Sequence, residues 1–328
     1  MVMKYFHLNP QGGFNDILSQ IYYCIEYCIK CKRILLLGTI HSYYTFNFAD
    51  YFTLNLPNIV YDNNDIQRIL TENSSASSRE IEEYICSLIE NKIDYTEDIL
   101  YYCNCGGRGD NYCLFYFMEL KPWIKDYCKN NYLNIPKPYM AIQIRNKDYY
   151  NIDYKTIVYE KYKDIIHKQS SIYLATDDSE CIEFFKSFGL NIYNFTTFPN
   201  PGYVNLHMTN GLTNDTKLND LLSDLFICGL ANTFISESKG LFTDLCKGLN
   251  EHKYIVQKLF HLDIDLPIQM KENEIFGFPV ISQRHTKFGL PKFIITKSLL
   301  GMPLNIEVED RELSLQEKMY QSSRSVKN

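Results

Sequence analysis

The sequence predicts an α/β fold in two domains, on three observations. Its 328 residues exceed the size at which a single core usually divides. The chain opens on strand, glycine turn, helix and strand in quick succession. After a double-proline linker, strands alternate with amphipathic helices of about ten to fifteen residues, the pattern of a parallel, doubly wound sheet.

The opening segment Lys4–Leu8 has strand character and ends in the turn Asn9-Pro10-Gln11-Gly12-Gly13. Ile17, Leu18, Ile21, Ile25, Cys28 and Ile29 then fall on one face of a helix. Arg33–Leu37 is a short apolar run suited to a buried parallel strand. Between Thr39 and Leu133 the signals weaken. Ile59–Tyr61 reads as a strand, Ser74–Ser78 as a polar loop, and Glu80–Ile89 and Leu114–Tyr132 as helices. Asn134-Ile-Pro136-Lys-Pro138 is the linker, since prolines break helices and hold the preceding residue extended. It divides a domain over residues 1–135 from one over 136–300, with a charged tail over 301–328 that carries a candidate helix from Leu313 to Tyr320. The second domain reads as strand Tyr139–Arg145, helix Tyr154–Lys168, strand Ser171–Thr176, helix Asp178–Phe188 and strand Asn191–Phe195. Helix Thr216–Leu230, strand Thr233–Ser236, helix Gly240–Leu249 and strand Lys253–Val256 complete it.

Apolar residues make up 45% of the chain and charged residues 22%, which excludes a disordered polymer. The net charge of −6 disfavours a broad nucleic-acid footprint, and the most basic stretch, Lys155–Lys168, is interrupted by Glu160 and Asp164. No window holds the roughly 20 apolar residues of a membrane span, and the start MVMKYFHLNP reads as a strand rather than a secretory signal. The 11 cysteines are scattered. Cys24, Cys28 and Cys31 share a helix, while Cys103, Cys105 and Cys113 lie near Gly106, Gly107 and Gly109 without the paired spacing of a zinc module. Reduced thiols in a cytoplasmic protein are the expectation, which leaves the sequons at Asn73, Asn194 and Asn214 without meaning.

In an open parallel sheet, ligands bind beyond the carboxyl ends of the strands. Four such ends carry suitable chemistry. Gly12-Gly13-Phe14-Asn15-Asp16 combines close backbone approach with a helix N-terminus that favours an anion, although Asn15 or Asp16 could equally cap that helix. Arg145-Asn146-Lys147-Asp148 offers a guanidinium able to fork two hydrogen bonds to a diphosphate, or simply to pair with Asp148. Thr176-Asp177-Asp178 could accept hydrogen bonds from a base or ribose, or cap the next helix. Ser236-Glu237-Ser238-Lys239-Gly240 places hydroxyls and amides at another helix N-terminus. Asp220 and Asp224 share a face of the helix before it and could be solvated or could reach the cleft. His207 sits in a loop with Gly202 and Gly211.

In this order, the motifs resemble the fucosyltransferase superfamily that includes α-1,2- and α-1,6-fucosyltransferases and protein O-fucosyltransferases. Gly12-Gly13-Phe14-Asn15 matches its glycine-rich loop, and Gln143-Ile-Arg145-Asn-Lys-Asp148 matches an HxRxxD-like motif. Ala175-Thr176-Asp177-Asp178 matches a strand ending in TDD, and the block from Asp224 through Ala231 to Ser236 and Ser238 matches the last motif. The resemblance implies a GT-B-like fold, two Rossmann-like domains with parallel sheets facing a cleft. It further implies a GDP-fucose donor, a glycan acceptor, no cofactor and inverting, metal-independent transfer. Carried onto matching positions, it puts Arg145 on the diphosphate with Gly13, Asn15, Ser236, Ser238 and Lys239 nearby, and Asp177 or Asp178 on the nucleoside. Asp16 is the candidate base for the acceptor hydroxyl. Gln143 departs from the family histidine and cannot titrate, and Lys239-Gly240 replaces smaller or hydroxylated residues. Two other readings stand beside this one: a GT-B transferase for another nucleotide sugar, and a non-catalytic nucleotide- or glycan-binding protein. Acceptor and oligomeric state are left open.

Overall fold

The computed structural model describes residues 3–56, 58–105, 111–147, 152–199, 203, 206, 209–262, 292–296 and 305–309. The N-terminal half runs β1 (Tyr5–Gln11), α1 (Phe14–Cys31), β2 (Ile34–Leu37), β3 (Thr39–Ile40), β4 (Phe46–Asn47), α2 (Phe48–Tyr51), β5 (Phe52–Leu54), β6 (Ile59–Val60), α3 (Asn63–Glu72), β7 (Ser78–Ile81), α4 (Ile85–Glu90), β8 (Ile99–Cys105), a 3₁₀ helix (Asn111–Tyr116), β9 (Met118–Leu120) and α5 (Pro122–Leu133). One parallel sheet forms in the order β6-β2-β1-β8-β7. Apolar β2 lies inside it, with Leu35, Leu36 and Leu37 fully buried, as a strand covered on both faces requires.

The C-terminal half runs β10 (Met140–Ile144), α6 (Tyr154–Ile166), β11 (Ile172–Thr176), α7 (Ser179–Lys186), β12 (Ile192–Tyr193), α8 (Asn214–Leu230), β13 (Thr233–Ile235), α9 (Leu241–Glu251) and α10 (Tyr254–Phe260). Its sheet, ordered β12-β11-β10-β13, is also parallel. Both sheets belong to one compact unit, Met1–Ile264. A second unit, Asp265–Asn328, contributes the antiparallel pair β14 (Lys292–Thr296) and β15 (Asn305–Glu309). The candidate helix at 313–320 lies outside the described residues. Among them, no helix is long and apolar enough to cross a membrane.

Three expectations about elements are corrected. Residues 253–256 begin helix α10 rather than forming a strand. Ile255, Val256, Leu259 and Phe260 are its buried residues, a helical spacing. The helix expected over 114–132 is three elements, because β9 pairs with β5 before Pro122 starts α5. The helix expected over 80–89 splits into β7, drawn into the sheet by β8, and the short α4.

The halves share their packing. α8 is buried along its whole second part, from Leu222 to Leu230. Phe115 of the 3₁₀ helix meets Phe226 of α8 at 5.3 Å, and Phe226 meets Phe260 of α10 at 5.4 Å, all three rings fully buried. Tyr112 stacks on His252 at 4.8 Å, and its ring lies so close to Gly248 of α9 that an added Cβ would collide with it.

At the opposite end of β1 from the glycine turn lies Arg33, the largest fully buried side chain among the described residues. It donates to Asp94 Oδ1 at 2.9 and 2.8 Å, to the Glu97 carbonyl at 3.0 Å and to the Tyr95 carbonyl. Glu26 on α1 is also fully buried, 3.2 Å from Lys30 Nζ. Burial pushes its carboxyl up to about 7, against the opposing pull of Lys30. The unfolded chain holds that carboxyl near 4.5, so the folded state binds the extra proton between these values and loses stability as pH rises through the window. Glu26→Gln should therefore stabilise the protein at pH 8 by on the order of 2 kcal/mol, with a smaller gain at pH 5. Urea denaturation of both proteins at the two pH values checks this; an equal effect at both would refute it.

Candidate active site

The carboxyl ends of β1, β10 and β11 converge on a cavity of about 310 Å³, within the range of small-molecule sites. At the first of these ends the chain turns through Gly12, whose φ of +98° suits glycine, and a Cβ there would sit 2.9 Å from that of Asp16. Gly13 caps α1, and its N–H donates to Asp16 Oδ2 at 2.9 Å. Asn15 is buried, with Oδ1 accepting from Asn111 Nδ2 at 3.4 Å. Among the described residues its buried Nδ2 has no partner, a donor that costs about 1–3 kcal/mol to leave unmet.

β10 delivers Gln143 and Arg145 to the same cavity. Gln143 Oε1 accepts from Ser236 Oγ at 2.8 Å and Thr243 Oγ1 at 2.7 Å, so two hydroxyls fix the amide. Ser238 Oγ accepts from the Arg145 amide at 2.8 Å. The turn beyond is held from β11: Asp177 Oδ1 accepts from the amides of Asn146 and Lys147 at 2.7 and 3.3 Å. Asp178 is the N-cap of α7, accepts from Asn146 Nδ2 at 2.7 Å, and lies 3.5 Å from Lys147 Nζ.

The third wall is the start of α8, with Lys217, Asp220, Leu221 and Asp224. Asp220 accepts from Tyr127 Oη at 2.7 Å and from the Thr197 amide at 2.7 Å. Asp224 accepts from Tyr173 Oη at 2.5 Å and Thr196 Oγ1 at 3.2 Å. Burial pushes the Asp224 carboxyl up to about 7, with Asp220 adding to the effect and the Tyr173 and Thr196 hydrogen bonds opposing it. Burial also lowers the Lys217 ammonium from its ordinary value. Among the described residues, no group of three or more His, Cys, Asp or Glu is placed to hold a metal.

Of the residues singled out from the sequence, Gly13, Asn15, Asp16, Arg145 and Asp177 line the cavity. Asp178, Ser236, Ser238 and Lys239 do not line it. The first three brace the strand ends, and Lys239 is exposed. Asp220 and Asp224 do reach the cleft. Asp148, His207, Gly202, Gly106, Gly107 and Gly109 lie outside the described residues, as do the side chains of Cys105 and Cys113. Lys217, Thr196, Thr197, Tyr43 and Tyr44 line the cavity without having been singled out. For Lys217 the signal was available, because residues 217, 220, 221 and 224 share one helix face.

No protein-family model matches the sequence, and no curated protein matches it. Solved structures do match. NodZ α-1,6-fucosyltransferase soaked with GDP-fucose aligns at a TM-score of 0.53 and 12% identity, over 75% of this chain and 92% of that one. Fucosyltransferase NodZ from Bradyrhizobium aligns at 0.53 and 11%, over 75% and 93%. POFUT1 in complex with GDP-fucose aligns at 0.51 and 11%, over 76% and 95%. At such identities the likeness is one of architecture, and by that architecture the chain is a GT-B-type α/β protein with the fold of the fucosyltransferases NodZ and POFUT1.

Proposed function

We propose that the chain is a glycosyltransferase that moves fucose from GDP-fucose to a glycan hydroxyl, with inversion and without a metal. The observation that carries this reading is the meeting of Arg145 and Lys217 on one cavity at the strand ends, beside the start of α1 at Gly13 and Asn15. Those donors suit a diphosphate. The presence of GDP-fucose with NodZ and POFUT1 supports the choice of donor.

In this mechanism the acceptor oxygen attacks the anomeric carbon while the bond from that carbon to the diphosphate oxygen breaks. GDP leaves with the bonding electrons, and the acceptor proton passes to a carboxylate. Asp16 is the base we assign, on the cavity wall formed by the first turn of α1. Arg145 and Lys217 meet the charge that gathers on the departing diphosphate, where a metal would otherwise act. Asp177 serves the nucleoside side. Asp178, Ser236 and Ser238 act from behind by holding the turn that carries Arg145, and Lys239 adds positive charge at its rim. The nucleotide is assigned to the half over 136–300 and the acceptor to the half over 1–135. The buried thiols of Cys24, Cys28, Cys228 and Cys246 fit a reducing, cytoplasmic setting.

Thermal-shift measurements with GDP, UDP and CMP test the donor assignment. GDP at a hundred times its Kd should stabilise the protein by about 2.7 kcal/mol, with the other nucleotides weaker and EDTA without effect. Failure of every nucleotide to move Tm would sink the transferase reading. GDP binding without transfer from GDP-fucose to any glycan would favour a binding protein instead.

A further inference from the structure

Helix α5 lies alongside α8 in the same direction, and one stripe of α5 makes the contact. Asn131 Nδ2 donates to Ser223 Oγ at 3.0 Å, and one turn earlier Tyr127 Oη donates to Asp220 on the cavity wall. One turn earlier again stands Trp123, the only tryptophan of the chain. Its indole Nε1–H donates to the Asp50 carbonyl at 3.0 Å, and its ring meets that of Tyr51 edge to face, with centroids 4.9 Å apart. Tyr51 Oη in turn donates at 2.8 Å to Asp215 Oδ1, in the first turn of α8, between Leu212 and Lys217 of the cavity wall. Trp123 is joined to that wall by two routes, and it is 46% exposed.

An indole held half in water beside a polar cavity keeps apolar surface that a ligand can cover. The area is too small for a stable protein interface, which needs roughly 800 Å² from each partner. Leu133, the other exposed large apolar side chain of α5, lies roughly 15 Å farther along the helix axis. A single sugar ring matches it better. One face of a pyranose presents C–H bonds, while its hydroxyls project from the edge, where the exposed Asp50 carboxylate can accept from them. We propose that Trp123 is an outer subsite for the acceptor: one pyranose stacks on the indole while a neighbouring sugar of the same glycan places its hydroxyl in the cavity. The inference rests on the transferase reading and names its acceptor class, an oligosaccharide rather than a free monosaccharide.

With one tryptophan in the chain, indole emission reports on this ring alone. The full chain with saturating GDP is titrated with galactose and N-acetylglucosamine, and with lactose, N-acetyllactosamine, chitotriose and maltotriose. At least one oligosaccharide should move the emission to shorter wavelength and saturate, and neither monosaccharide should do so at the same concentration. Saturation-transfer NMR reads affinity in variants that lack the fluorophore. Trp123→Ala should weaken the responding oligosaccharide ~10-fold or more, Trp123→Phe should retain most of the binding, and the GDP thermal shift should be the same in all three proteins. No emission response to any oligosaccharide, an equal response to a monosaccharide, or unchanged affinity in Trp123→Ala would each overturn the subsite. Emission that moves on dilution of the protein alone would give the ring to a second copy of the chain and would overturn it too. The donor assignment fails by a different result, the absence of a GDP shift in the wild-type protein.

Discussion

Arg145→Ala should lower kcat/KM for sugar transfer by about a thousandfold, and it should largely abolish the thermal shift with GDP. The guanidinium lines the cavity at the end of β10 and is the planar, permanently charged donor best matched to a diphosphate. Its position does not depend on the side chain itself. The amide is held by Ser238, and the following two amides by Asp177. The alanine variant should therefore stay folded without ligand, as circular dichroism checks, which separates lost chemistry from lost fold. Arg145→Lys should fall between the two proteins, because an ammonium retains charge but cannot fork. Isothermal titration with GDP gives the comparison directly. Unchanged affinity in Arg145→Ala would remove the residue from the site.

The largest effect on stability is expected in the other parallel sheet, at the end of β1 away from the glycine turn. Arg33→Ala should cost about 3 kcal/mol, since it removes the forked donor to Asp94 and the donor to the Glu97 carbonyl, leaving the Tyr95 carbonyl to Lys4 and the Asp94 carboxylate to Tyr27 and Lys4. Arg33→Lys should recover little of this. A single ammonium cannot reach acceptors spread around a planar fork. Denaturant titration measures both losses. The surviving folded fraction should bind GDP normally, because Tyr5 begins the strand whose far end, roughly 20 Å away, carries the glycine turn. A cost below about 1 kcal/mol would mean that water replaces the guanidinium.

How much of this was legible depended on where each segment is buried. β10 and β11 were read nearly to the residue, because Met140–Ile144 and Ile172–Thr176 are buried on both faces and so run apolar except at Gln143 and Thr176, near their carboxyl ends. β8 was missed although it lies between β1 and β7, since its tyrosines, cysteines and asparagine give no period and a glycine cluster follows it. α10 looked like a strand because Ile255 and Val256 are β-branched; its packing against α5, α8 and the 3₁₀ helix overrides that preference. The strand-end rule located Gly13, Asn15, Arg145 and Asp177, since it depends only on topology. It could not distinguish a side chain that faces the cavity from one that braces the turn, and Ser236, Ser238 and Asp178 are of the second kind. Lys217 and Asp220 enter from the side of a helix, where the rule does not look.

The aromatic stack from Phe115 through Phe226 to Phe260 constrains the order in which the protein can be completed on the ribosome. The sheet of the first half is fully encoded by residue 105, yet the rings that cover its 3₁₀ helix arrive only with α8 and α10. Tyr112 likewise awaits Gly248 and His252. A half that would ordinarily fold as soon as it emerged must instead keep apolar surface uncovered while more than a hundred further residues are made. During synthesis, that waiting face leaves Phe115 without the rings that later cover it, a surface open to misassociation.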